Sequence, residues 1–291
     1  MKVLLTGAAG QLGHSLLAGR PADVELIATS RRELDLADIS ACRDAIQRHQ
    51  PDWVVNAGAY TAVDKAESEP ELAMAVNAEA PRAFAEELMD SGGRLLQIST
   101  DFVFNGSQGT PCRVDQPRQP LGVYGLSKAK GEEAVQEVLG GGDQGVILRT
   151  SWVMGPTGRN FALTMLRLHQ EREELRVVAD QVGCPTSTLT LAAACWRAIT
   201  GTKPLPALMH WSDAGAASWY DVAVAIGELG AERCLLQKPA RVQPISTEDY
   251  PTPARRPSYS LLDCTSTRKA LGLEGQHWRS ALRDVLSAIP R

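Results

Sequence analysis

No stretch of this chain approaches the roughly 18 consecutive apolar residues of a membrane span, so no membrane partner is expected. Blocks of like charge are absent too, and the net charge over 291 residues is only -4. Nucleic acid, which is gripped by clustered Lys and Arg, is therefore not expected as a main partner. The six cysteines, at 42, 112, 184, 195, 234 and 264, include no Cys-x-x-Cys pair, and the five histidines show no metal-ligand spacing. A chain this long does not need disulfide staples, so the cysteines read as reduced packing residues of a cytoplasmic protein. The opening residues Met1-Lys2-Val3-Leu4-Leu5-Thr6-Gly7 hold one basic residue and an apolar run too short for a signal-peptide core. There is no internal repeat and no low-complexity linker.

What is present is 44% hydrophobic residues, enough for a substantial core, and an ordinary 22% of charged ones. Short apolar runs at 2–6, 24–29, 53–56, 94–99 and 146–149 alternate with helical patterns at 14–18, 40–50, 71–91 and 124–139. Strict β-α alternation predicts a parallel, doubly wound sheet. Past residue 152 the pattern loosens into helices at 160–172, 189–200, 218–229, 266–272 and 278–289. Short strands are expected at 175–179 and 208–211, with a Pro-rich irregular stretch over 237–262. The expectation is an α/β protein: a Rossmann-like doubly wound parallel sheet over 1–152, then a smaller mixed α/β C-terminal substrate region over 153–291. The closing segments are free to return to the first part.

The first strand runs into Gly7-x-x-Gly10-x-x-Gly13 and then a helix, the context of a dinucleotide fingerprint. Glycines there let backbone approach a pyrophosphate seated on the helix N-terminus; a Gly-rich turn without a ligand is the alternative. The second strand ends in Ser30-Arg31-Arg32, where an acid would favour a free ribose and Arg a 2′-phosphate, so NADPH is expected with NADH as the alternative. The third strand ends in Ala57-Gly58-Ala59, small enough to lie against a cofactor. The polar loop beyond it carries Asp64 and Lys65, which border a site or pair with each other. Asn77 falls inside the long helix expected over 71–91, as a structural contact or part of a cofactor network. The fourth strand leads into Thr100-Asp101. Tyr124 and Lys128, four apart at the start of a helix, share one face. A phenol beside an ammonium is a proton donor of tuned acidity.

The Gly turn, Ser99-Thr100-Asp101 and Tyr124-x-x-x-Lys128 together resemble the extended short-chain dehydrogenase/reductase superfamily. Further stretches resemble, within it, the dTDP-4-dehydrorhamnose reductase family: Gly10-Gln11-Leu12-Gly13, 61–67, 99–104, 149–152, 180–186 and 250–257. The resemblance covers nearly the whole chain. It implies NAD(P)H-dependent reduction of the C4 keto group of a dTDP-sugar, with Tyr124 as general acid, Lys128 together with the positively charged nicotinamide lowering its pKa, Lys128 also holding the nicotinamide ribose, and Thr100 at the reacting oxygen. It also implies that Gly10, Gln11 and Leu12 contact the pyrophosphate and that Asp35 and Leu36 lie by the adenine. Ala57, Gly58 and Ala59 would sit near the ribose and phosphates, with Asp101 and Trp152 facing the sugar. Asn160, Gln181 and Arg256 are further candidates for the nucleotide-sugar, Arg256 as a partner of its diphosphate. A homodimer and Mg2+ come with the resemblance alone. No carboxylate cluster argues for the metal, and Leu189 stands in a stretch where a metal-linked acid was to be expected, so no metal ligand is assigned. Gly58 stands where the family usually has Ala.

Two rivals share the scaffold. A nucleotide-sugar epimerase or dehydratase is one, but a dehydratase carries an acid pair after the Thr, and here Asp101 is followed by Phe102, which cannot move a proton. A non-catalytic regulatory subunit of the methionine adenosyltransferase type is the other; the intact Thr100, Tyr124 and Lys128 argue against it.

Overall fold

The computed structural model describes residues 1–140, 142 and 144–290. Its centre is a six-stranded sheet in the order Leu208–Trp211, Gly145–Thr150, Arg94–Thr100, Trp53–Asn56, Lys2–Thr6, Glu25–Thr29. Every neighbouring pair is parallel. The central strands are apolar almost throughout, as strands covered on both faces must be. One face buries the helices Gln11–Ala18, Thr188–Thr200 and Thr265–Leu271; the other buries Ile39–His49, Ala80–Ser91 and Val123–Leu139. The chain reverses direction across the sheet between Lys2–Thr6 and Trp53–Asn56, and a ligand crevice opens at the carboxyl ends of strands at such a point.

The late segments divide between the main sheet and a cluster of their own. Leu208–Trp211 is the sixth strand of the main sheet, beside Gly145–Thr150. The helices Phe161–Glu171, Trp219–Glu232 and Trp278–Ser287 make a second apolar cluster with the parallel pair Glu174–Val178 and Arg241–Ile245. Arg241–Ile245 lies inside the stretch expected to be irregular; Pro244 does not stop it because this two-stranded ladder leaves each strand an edge. The Gly residues after Leu139 do end the helix, with the cap at Gly140, while Gly141 lies outside the described residues.

The helix expected over 71–91 is interrupted. Pro70–Met74 is α-helical, Ala75–Glu79 is a π turn, and Ala80–Ser91 is α-helical again. The cause is Pro81, which has no N–H for the carbonyl of Asn77 and whose ring crowds it. That carbonyl lies against the helix Val123–Leu139 at Gly131, where any Cβ would collide with it. Behind the site, Arg149 and Glu132 are buried with 1% and 0% of their surface exposed. They form a two-point ion pair, Nε to Oε1 at 2.8 Å and Nη2 to Oε2 at 2.6 Å. Among the described residues no helix is long and apolar enough to cross a membrane. All six cysteines are unpaired, and only Cys234 is exposed.

Removing Arg149 leaves the fully buried Glu132 carboxylate with only the half-buried Arg118, at 3.0 Å, as its ionic partner. Arg149→Met is predicted to lower stability by about 3–5 kcal/mol, and Glu132→Leu combined with Arg149→Met to recover most of that loss. Urea unfolding of the single and double variants checks this.

Candidate active site

The carboxyl ends of the strands open into one cleft of about 770 Å3. Three neighbouring strands are joined near these ends by a row of buried polar side chains: Thr6 Oγ1 donates to Asn56 Oδ1 at 2.5 Å, and Asn56 Nδ2 to Gln97 Oε1 at 2.7 Å. Gly58 N donates to Thr6 Oγ1 at 3.1 Å, tying the third strand's end to the first. Gly7, with φ 68, crosses so close to this turn that a Cβ would lie 2.6 Å from Gly58 Cα. Only glycine combines that φ with that approach. Gly13 acts in packing instead. A Cβ there would strike Gly7 O, so its absence seats the first helix against the turn, and Gly13 does not line the cleft.

Gly7, Gly10, Gln11 and Leu12 line the cleft, as do Arg31, Asp35, Leu36 and 57–59. This is a backbone cradle at a helix N-terminus, with an apolar pocket walled by Leu34, Leu36, Leu72 and Val76, and it fits a dinucleotide. Gln11 also spans the cleft: Gly155 N donates to its Oε1 at 3.1 Å and its Nε2 donates to Arg159 O at 3.2 Å. Arg31 is exposed and pairs with Asp35 at 3.4 Å. Ser30 is outside the cleft lining; its backbone N–H is taken by Glu33 at 2.7 Å.

Three consecutive residues of the fourth strand, Ile98, Ser99 and Thr100, meet three successive turns of the helix Val123–Leu139, two of them by hydrogen bonds. Lys128 Nζ donates to Ile98 O at 2.6 Å, and Ser99 Oγ to Glu132 Oε1 at 2.5 Å. Thr100 lies beside Tyr124, close enough for its hydroxyl to pull the phenol's pKa down. Tyr124 is half-buried, with Phe102 packed edge-on at 5.6 Å and 71°. Burial pushes the phenol up to about 12; the Thr100 hydroxyl opposes this and the Asp101 charge adds to it. Lys128, whose ammonium donates to the Ile98 carbonyl, is not among the groups that shift the phenol in the protein alone; the expected lowering is that of Lys128 together with the charged nicotinamide. Burial pushes Lys128 itself down to about 8, with Glu132 opposing. Asn77 supports this wall: its Nδ2 donates to Tyr60 O and Ser127 Oγ, each at 3.0 Å, and its Oδ1 accepts from Tyr60 N at 2.9 Å.

Asp101 is 1% exposed. Its Oδ1 accepts from Thr100 Oγ1 at 3.1 Å, and Oδ2 has no hydrogen-bond partner. Burial raises its pKa to about 6 against the pull of the Ser260 and Thr100 hydroxyls.

Trp152 and Asn160 line the far side. Asn160 caps the helix Phe161–Glu171 by accepting from Leu163 N at 2.9 Å. Arg256 reaches the cleft rim, but its guanidinium pairs at both ends with Asp64, at 3.0 and 2.8 Å, and holds that carboxyl below the usual range. Lys65 pairs instead with Glu69 at 2.6 Å, so Asp64 and Lys65 are not each other's partners. Gln181 is buried and does not line the cleft. Trp219, which sequence reasoning missed, does line it. Its only local signal was an aromatic side chain at a helix start, after the Ser218 capping box. Among the described residues no group of three or more His, Cys, Asp or Glu side chains is placed to hold a metal ion. The residues present do not fit Mg2+.

A doubly wound sheet, a glycine cradle at its switch point and a Tyr/Lys pair beside a strand-end Thr define a dinucleotide-dependent oxidoreductase site of the extended short-chain dehydrogenase/reductase kind. More closely, the chain belongs to the family described as "RmlD substrate binding domain", whose model matches residues 1–290. It is 45% identical to a dTDP-4-dehydrorhamnose reductase of Streptomyces griseus, over 98% of this chain and 93% of that one. The spore coat polysaccharide biosynthesis protein SpsK of Bacillus subtilis is 40% identical, over 98% and 96% of the two chains. A crystal structure of dTDP-4-dehydrorhamnose reductase from Bacillus anthracis in complex with NADP superposes with a TM-score of 0.90, at 34% identity and 98% coverage of both chains.

The Asp101 carboxyl has a testable cost. A folded-state pKa raised from 3.8 to about 6 gives stability that is full below the unfolded value and lost as pH rises through 6. Asp101→Asn is predicted to raise stability at pH 7 by on the order of 2 kcal/mol while lowering turnover. Urea midpoints at pH 4, 5.5 and 7 should then fall less steeply than in the parent. Some slope should persist, because burial raises Asp213 in the same direction.

Proposed function

We propose that this protein reduces the C4 keto group of dTDP-4-dehydro-β-L-rhamnose with NADPH to give dTDP-L-rhamnose, the last step of dTDP-rhamnose synthesis, in the cytoplasm. The observation that carries this reading is the meeting of Thr100, Tyr124 and Lys128 in one cleft with the glycine cradle. Membership of the family and the names of its relatives supply the nucleotide-sugar. NADPH, when bound, supplies the hydride; Gly7, Gly10, Gln11, Leu12 and 57–59 would hold it, with Arg31 free to leave the exposed Asp35 for a 2′-phosphate. The division of labour is cofactor on 1–152 and sugar nucleotide mainly on 153–291, the last strand and closing helices of the main sheet excepted.

In this reading the chain's own residues handle the proton. Burial keeps Tyr124 protonated at neutral pH, so it has a proton to give to the C4 oxygen as charge develops there. Thr100 Oγ hydrogen-bonds the same oxygen and fixes its place. Lys128, one helical turn from the phenol, would stabilise the phenolate left behind once its ammonium turns from Ile98 O toward it. Phe102 packs its ring on Tyr124 where a dehydratase would need a further acid, which favours simple reduction. Homodimer formation remains an expectation of the family resemblance.

Incubation with enzymatically prepared dTDP-4-dehydrorhamnose should give stoichiometric loss of NADPH absorbance. Tyr124→Phe should cut kcat by roughly 100-fold or more with little change in KM. Tightly held NAD with no net consumption of NADPH would instead establish an epimerase. Because burial brings Lys128 to about 8, kcat should fall as pH rises through that value and the ammonium is lost. Lys128→Arg, which keeps its charge, should move that limb upward; an unmoved limb assigns it to another group.

A further inference from the structure

Tyr124 stands in the first turn of its helix, a turn that the helix does not cap for itself. The helix Val123–Leu139 starts at Gly122, which has no side chain to cap it, and no acidic residue lies in its first turn. The N–H groups of a first turn have no carbonyl of the helix to receive them, and an uncapped turn frays. Tyr124 is the second residue of that turn, whereas Lys128 lies in the next one and is held by Ile98 O. The cap comes instead from a residue 56 positions away: Val123 N donates to Glu67 Oε1 at 2.8 Å. The carboxylate takes the space that a side chain at Gly122 would fill, because a Cβ there would lie 2.5 Å from the same oxygen. Gly122 has φ -149 and ψ 177, extended backbone that any residue adopts, so its missing side chain serves this approach and not the turn. Glu67 is fixed in its own right. It ends the short helix Val63–Ala66, its N–H bonding to Lys65 O, and Asp64 of that helix accepts from Ala254 N at 3.2 Å besides its two bonds from Arg256. The first turn also rests on the carbonyl of Phe102, so close that a Cβ at Gly125 would collide with it. Neither Glu67 nor Gly122 lines the cleft.

We propose that Glu67 is a positioning residue for the proton donor: its carboxylate caps the helix Val123–Leu139 in place of Gly122 and so holds the first turn, and Tyr124 with it, where the phenol meets the C4 oxygen. A proton passes only over hydrogen-bond distances, so a phenol on a frayed turn is a poor donor even where substrate and cofactor bind normally. A carboxylate suits the task, since it only accepts hydrogen bonds when ionised and faces the positive end of the helix. Through Asp64 the same short helix ties the donor's turn to Ala254 and Arg256, across the rim of the cleft. This rests on the reductase reading above.

The test uses the full-length protein with dTDP-4-dehydrorhamnose and NADPH. Glu67→Ala should lower kcat by roughly tenfold. The KM of NADPH should not move, because the glycine cradle and Lys128 lie outside the loosened turn. The solvent deuterium isotope effect on kcat should rise, because proton transfer from a loosened phenol becomes the slow step. Glu67→Gln, which keeps an oxygen acceptor, should stay within about twofold of the parent. The decisive variant is Gly122→Ser. Its side chain displaces the Glu67 carboxylate and supplies a local cap, so kcat should stay near that of the parent. Adding Glu67→Ala to Gly122→Ser should then cost nothing further, a non-additivity that a general loss of stability does not produce. Glu67→Asp, one methylene too short to reach Val123 N, should act like Glu67→Ala and carries the test where Glu67→Ala does not fold. Three results overturn the proposal: an unchanged kcat in Glu67→Ala, a loss that persists undiminished in the Gly122→Ser background, or a rise in the KM of NADPH as large as the fall in kcat. Absence of NADPH consumption by the parent protein would defeat the reductase reading and this one together, whereas normal turnover of the parent with an unmoved kcat in Glu67→Ala defeats only this one.

Discussion

The pairing of Glu132 with Arg149 is the constraint on which the reacting end of the cleft depends. Glu132 accepts from Arg149, Ser99 and Arg118, and so joins the helix that bears Tyr124 and Lys128 to two adjacent strands of the sheet. Arg149 also donates to Val114 O at 3.2 Å and lies over the Phe104 ring at 4.9 Å, so the loop before the helix is bound to the same point. Two charges so deeply buried are weakly stabilising at best, because the desolvation of each offsets their attraction. Their effect is on register. A slide of the helix by one turn would strand both charges, and with them would go the contacts of Lys128 with Ile98 and of Tyr124 with Thr100.

The same burial shapes the proton chemistry. Taking ionisable groups out of water disfavours their charged forms, so Tyr124 and Asp101 hold their protons more tightly and Lys128 more loosely. A phenol at about 12 beside an ammonium at about 8 is a donor that keeps its proton until an oxygen with developing charge is placed against it. The lowering of the phenol's pKa expected from Tyr-x-x-x-Lys is therefore not a property of the two residues alone. It requires the ammonium to face the phenolate, and in the protein by itself the ammonium faces a carbonyl.

Around this rigid centre the cleft is bordered by contacts between distant parts of the chain. Gln11 touches the 155–159 loop, and Asp64 holds Arg256. These links tie the C-terminal region to the first half of the chain. Its helix Thr188–Thr200 and strand Leu208–Trp211 complete the main sheet, and its loops close the cleft that the first half opens.

What the sequence by itself determined was local. Strand, glycine turn and helix at 2–18 could be read because the φ at Gly7 and the periodicity around it are properties of neighbouring residues. Tyr124 and Lys128 share a face by helical geometry alone. Pro81 even marked the π turn, although the helical periodicity across it masked that signal. Tertiary structure decided everything that joins residues far apart. It paired Arg256 with Asp64, 192 positions away, and Gln181 with Trp219, 38 away. It also set the acidity of Tyr124, because desolvation depends on what packs around a group and not on what precedes or follows it in the chain.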